Sequence, residues 1–98
     1  MKRNDYVFCI GYQGNSALVD GQATKQYAKA STDELLDKGL FRFAFCSALY
    51  DKDEDAVKRI MARYNALTGL SLKTTEELKI LLGVILPAES MVKTIVIK

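Results

Sequence analysis

Histidine is absent from this 98-residue chain, and so is tryptophan. The missing imidazole removes the commonest general base, the usual activator of a nucleophile and the commonest metal ligand at once. Cysteine occurs only twice, at Cys9 and Cys46, each among apolar neighbours and far apart in sequence. That usage fits two reduced core thiols of a cytosolic protein better than a disulfide framework. Proline occurs once, at Pro87. No run approaches the roughly 20 apolar residues that a bilayer-crossing helix needs, so no membrane role is expected. The apolar run from Tyr6 to Tyr12 is short and contains Gly11, and it reads as a strand rather than a leader. A formal net charge of +2 is too small by itself to imply nucleic acid or an anionic membrane as a partner.

What is present is an apolar centre. From Leu40 to Leu49 only Arg42 and Ser47 are polar, and a segment apolar on all sides belongs inside a core. Phe41, Phe43 and Phe45 alternate as in a strand, but the run holds no β-branched residue and is long for a strand, which favours a helix. The acidic stretch Asp51 to Asp55 then suits the start of a second helix, where the N-terminal dipole favours negative charge. Val57, Ile60, Met61, Tyr64 and Leu67 share one stripe of that helix, Lys58, Arg59 and Arg63 fall away from it, and Gly69 ends it. Two capping boxes flank this pair, Ser31 with Glu34 and Thr74 with Glu77. The first opens a short helix carrying Leu35 and Leu36; the second opens a helix with Leu78, Leu81 and Leu82 on one face, closed by Gly83. Gln22 to Ala30 reads as a short helix or loop.

The chain ends differ from this middle. Tyr6 to Tyr12 is rich in aromatic and β-branched residues, and Ser16 to Asp20 follows it after Gln13-Gly14-Asn15, the pattern of a β-hairpin. Tyr6, Phe8, Ile10 and Tyr12 form its larger face and are expected to meet the helices. Val92 to Lys98 is a further strand, which must pair to satisfy its backbone groups and is expected to join the hairpin. The fold class is therefore α+β: a small three-stranded sheet, N-terminal β-hairpin plus C-terminal strand, packed on one face by a middle block of about four helices. Ninety-eight residues suffice for one such domain, spanning 1–98.

Three chemical patterns fail on inspection. Asp51, Asp53 and Asp55 imitate the opening of a calcium loop, but Ala56 stands where the turn glycine belongs and Ala62 where the bidentate glutamate belongs. Gly11 to Gly14 is followed by a strand rather than the helix N-terminus that a phosphate cradle needs. Cys46 lies beside Ala44 and Phe45, an apolar setting that raises a thiol pKa. No catalytic, cofactor or metal site is expected, and an enzyme would have to rely on carboxylates such as Asp51 and Asp53.

The leading functional expectation is a small intracellular, cytoplasmic, non-catalytic protein-interaction domain. A three-stranded sheet has two edges, and an unguarded edge templates pairing with another chain. Ser16 to Asp20 is the candidate edge, with Ala17, Leu18 and Val19 meeting a protein partner or a second copy. The alternative is a nucleic-acid-binding accessory protein using Lys58, Arg59 and Arg63, although Glu54 and Asp55 one turn earlier oppose that patch.

Overall fold

The computed structural model describes residues 2–84 and 87–97. Among them the chain runs α1 (Arg3–Val7), β1 (Cys9–Gln13), β2 (Ser16–Asp20), α2 (Gly21–Tyr27), α3 (Thr32–Asp37), α4 (Phe41–Asp51), α5 (Glu54–Thr68), α6 (Thr75–Leu82), a 3-10 turn at Ala88–Ser90, and β3 (Lys93–Ile97). Lys98, placed at the end of the expected strand, lies outside the described residues.

The Phe-rich run is α4, and it is the centre of the core. Ala44, Phe45, Cys46, Ser47 and Ala48 are buried in succession, as a helix surrounded on all sides requires. α1, α3 and α5 pack around it. Phe8 meets Phe43 edge to face with ring centroids 5.1 Å apart, and Phe41 meets Tyr64 at 5.0 Å in the same geometry. On α5 the stripe buries Val57, Ile60 and Met61, but Leu67 at its far end is 67% exposed because the core stops short of the last turn.

Local signals account for the helix ends. The Ser31–Glu34 and Thr74–Glu77 capping boxes are both closed, satisfying backbone N–H groups that the first helical turn leaves without partners. Asp53 accepts from the Ala56 N–H at 3.1 Å and starts α5. Gly69 ends that helix in the left-handed region at φ 75°. Asp20, at the expected exit turn, caps α2 by accepting from the Gln22 and Ala23 N–H groups, so the weakly patterned segment after it is helical.

The N-terminus departs from expectation. Tyr6 and Val7, expected to begin the first strand, instead end helix α1 (Arg3–Val7), and the strand begins only at Cys9. Arg3 donates to the Ala30 carbonyl at 2.8 Å and Asn4 to that of Ala28 at 3.3 Å, fastening α1 to the chain that leaves α2. Of the expected inward face, Tyr6 and Phe8 are buried and Tyr12 packs against the core, and only Ile10 is corrected. A register shift between Cys9 and Gly11 makes Ile10 an extra residue in the ladder. Cys9 and Tyr12 therefore lie on the side of Val19 and Ala17, while Ile10 is 47% exposed.

Among the described residues the sheet contains three strands, in the order β1-β2-β3. β1 pairs antiparallel with β2, from Cys9 opposite Val19 to Gln13 opposite Ser16. β3 runs parallel to β2, from Ser16 opposite Lys93 to Asp20 opposite Ile97. The predicted α+β plan thus holds, with six α-helices among the described residues.

Candidate functional site

The edge expected at Ala17, Leu18 and Val19 is corrected by this strand order. β2 is the central strand, its backbone engaged by β1 on one side and β3 on the other, and Ala17 and Val19 are buried beneath it. No incoming chain can pair with a strand whose two sides are already occupied.

The exposed edge is β3 instead. Among the described residues it pairs with β2 alone, and all five of its residues are exposed. Residues paired across a ladder share a face, so Lys93, Ile95 and Ile97 lie with Ser16, Leu18 and Asp20 on the face away from the core, and Thr94 and Val96 lie with Ala17 and Val19. Ile95 and Ile97 are each 43% exposed, Val96 is 54% exposed although it shares the core side, and Val92 just before the strand is 70% exposed. Among the described residues α2 approaches β3 at Gly21, where an added Cβ would lie 2.9 Å from Val96 Cγ1 and 3.0 Å from the Ile97 carbonyl oxygen, yet every residue of β3 stays exposed.

β1 is the other edge, but a poorer template. Its ladder is interrupted at the Cys9–Gly11 register shift, and a bulge twists an edge away from regular pairing. β3 carries no proline, keeps an unbroken register over five residues, and bears one charge, on Lys93.

Two of the basic residues of α5 face acids of α3. Arg59 Nη2 lies 3.2 Å from Asp33 Oδ1, and Arg63 Nη1 lies 3.3 Å from Asp37 Oδ1, so two acids one turn apart on α3 meet two arginines one turn apart on α5. A shallow groove of about 620 Å³ lies along these pairs, floored by Leu36, Ala62 and Ala66. Lys58 is separate from both arginines' pairs: with Lys52 and Lys73 it rims a second groove, of about 580 Å³, over Leu49, Val57 and Met61, where Asp53 and Glu54 also line the wall. The structure brings Arg59 and Arg63 together and turns Lys58 toward a different groove.

Two residues noted only as the polar exceptions of the Phe-rich run hold the fold together. Buried Ser47 accepts from Arg3 Nη2 at 3.1 Å, and its hydroxyl lies 2.7 Å from that of Thr32. Arg42 donates from Nε to the Leu82 carbonyl at 3.0 Å and from Nη2 to that of Gly83 at 3.3 Å, at the end of α6. Burial pushes the Cys46 thiol up to about 12 against the opposing pull of the Arg42 guanidinium, so it is a neutral core group at neutral pH. Cys9 is also buried, and its Sγ lies 3.0 Å from the Gly11 carbonyl oxygen. Among the described residues no three His, Cys, Asp or Glu side chains converge to hold a metal ion, and no helix is long and apolar enough to cross a membrane.

Compared with protein-family models, with curated proteins and with solved structures, the chain matches none.

Proposed function

We propose that this protein is a non-catalytic interaction domain that takes up an extended segment of a protein partner along the free edge of β3. The observation that carries this reading is the edge itself: five consecutive exposed residues, Lys93 to Ile97, in an unbroken ladder, with Ile95, Val96 and Ile97 apolar. In strand addition the main-chain groups supply affinity and alternate side chains supply selectivity. Ile95 and Ile97 on one face and Val96 on the other would be the selective contacts.

Affinity capture from host extract with mass spectrometry tests it, using the wild-type chain, Ile95→Lys and Leu67→Lys. Leu67 is an equally suitable exposed apolar control, distant in sequence on α5. Partners retained by Leu67→Lys and lost from Ile95→Lys are expected. The same partners on all three would refute the reading.

A further inference from the structure

We propose that the groove over Leu49, Val57 and Met61 is a binding site for a small amphiphilic anion, a carboxylate carried on a short aliphatic chain. Its volume of about 580 Å³ lies within the roughly 300–1,000 Å³ of small-ligand sites, and it follows their pattern of an apolar floor with a few charged groups at the rim. The groove shares no residue with β3, so it stands apart from the strand edge and neither site depends on the other.

Charge selects the occupant. Three ammonium groups, those of Lys52, Lys58 and Lys73, line this groove against two carboxylates, those of Asp53 and Glu54, which leaves an excess of one positive charge. Among the described residues the ion pairs are Arg59 with Asp33, Arg63 with Asp37 and Lys79 with Glu76. None of the three groove lysines enters one, Lys58 included, although Glu54 stands one turn before it on α5. Asp53 is engaged at the start of that helix, where its Oδ1 accepts from the Ala56 N–H. Glu77 feels the charge of Lys73, but its carboxylate accepts from the Lys73 and Thr74 N–H groups and does not line the groove. The other groove along α5 holds two arginines and two aspartates, already matched to each other. One groove is neutralised by the chain itself; the other is balanced by an anion from outside.

Lys52 is the telling member of the trio. Among the described residues with a left-handed backbone it alone is not glycine, at φ 56°. α5 and α6 end on Gly69 and Gly83 in that region, whereas α4 ends on Lys52. A side chain at such a position destabilises the fold relative to glycine. What the lysine adds in return is an ammonium group on the wall of the groove, outside every ion pair of the described chain. A single carboxylate among the three ammonium groups cancels the excess charge, and its aliphatic chain covers the floor.

Titrating the full chain with octanoate, octan-1-ol and acetate, followed by amide NMR shifts, separates the contributions of head and tail. Octanoate should shift residues 48–61 and 73–75, those that line the groove, with a dissociation constant on the order of 1 mM for a ligand of this size. It should bind roughly tenfold or more tightly than either octan-1-ol, which lacks the charge, or acetate, which lacks the chain. Lys52→Gly is the discriminating variant. Relief of the left-handed strain should raise its urea midpoint, while its affinity for octanoate falls roughly threefold or more. Arg63→Ala, which alters the self-neutralised groove, should bind octanoate as wild type does. The proposal is overturned if octan-1-ol or acetate binds as tightly as octanoate, if the shifts cluster in the other groove, or if Lys52→Gly keeps the wild-type affinity. It is equally overturned if octanoate produces no saturable shift by about 10 mM, tenfold above the expected constant.

Discussion

Arg42 Nε, in the first turn of α4, donates to the carbonyl oxygen of Leu82 at 3.0 Å, so the one cation in the Phe-rich helix caps the negative end of α6. Few apolar side chains of α6 reach the core. Leu78 is fully buried and Leu82 packs at the margin, while Ile80 and Leu81 face solvent. The guanidinium is thus a principal fastening of this helix.

Removing it should loosen α6 selectively. Arg42→Leu leaves the Leu82 and Gly83 carbonyls without their donor, and a lost charge-assisted hydrogen bond of this kind costs about 1.5–3 kcal/mol. Amide exchange in residues 75–83 should accelerate well beyond that in α4 and α5. Uniform acceleration along the chain would show that α6 is held by something else.

Ser47 makes a second fastening that a double-mutant cycle can isolate. Ser47→Ala withdraws the acceptor for Arg3 and the partner of Thr32 inside the core, at a cost of about 1–3 kcal/mol. Because Arg3 and Ser47 share one bond, the Arg3→Ala and Ser47→Ala effects on urea unfolding should be non-additive by about 0.5–3 kcal/mol. Strict additivity would mean that the contact contributes nothing.

Gly21 is a glycine for want of space. A Cβ there would press on Val96 Cγ1 and on the Ile97 carbonyl oxygen, the latter a backbone atom that cannot swing aside. Gly21→Ala should cost about 1–3 kcal/mol, the range for forced overpacking. It should also speed exchange in β3 more than in β1. Gly39→Ala offers a contrast, since nothing lies within 4 Å of its added Cβ and the penalty there comes from φ +75° alone.

Stability should fall in alkali. Burial raises the folded-state pKa of Cys46 to about 12 and raises that of Tyr6 as well, with smaller like-charge contributions from neighbouring groups. Below the unfolded thiol value of about 8.5 both states keep the proton and this contribution is complete. Between there and about 12 the unfolded chain releases a proton that the folded chain retains, so unfolding becomes progressively easier. Urea midpoints at pH 7, 9 and 10.5 should decline in order, and Cys46→Ala should flatten the decline. An unchanged slope in that variant would assign the effect elsewhere. At the acid end the sign reverses for Glu77. Donation from Lys73 and Thr74 holds its carboxyl below the usual range, so its contribution is present above that range and disappears as pH falls through the lowered value.

The features legible in the chain were the local ones. The capping boxes, the Gly69 stop and the burial of α4 depend on residues a few positions apart, and each appears where its pattern indicated. The helix over residues 3–7 was not legible, because the alternating Tyr6 to Tyr12 pattern matches a strand. What holds α1 is remote: Arg3 and Asn4 bound to carbonyls at Ala30 and Ala28. The same reason governs the candidate site. Whether Ser16–Asp20 or Lys93–Ile97 is the edge depends on which side of β2 the last strand occupies, and nothing within either segment encodes that choice. A run as exposed as Ile95, Val96 and Ile97 reads in sequence like any buried strand. Arg42 and Ser47 stood out by polarity, but their partners became apparent only with α6, α1 and α3 in place.

The parallel ladder between β2 and β3 also orders events in time. Ser16 pairs with Lys93 and Asp20 with Ile97, so the helical block lies between the two halves of this ladder. Its ends can meet only after a long closure whose entropy is recovered when the block has condensed. The hairpin and helices can assemble from near neighbours while a nascent chain is still emerging from the ribosome. Closure of β3 onto β2 is then expected to follow the condensation of that block, and until it occurs one side of β2 is left without its ladder.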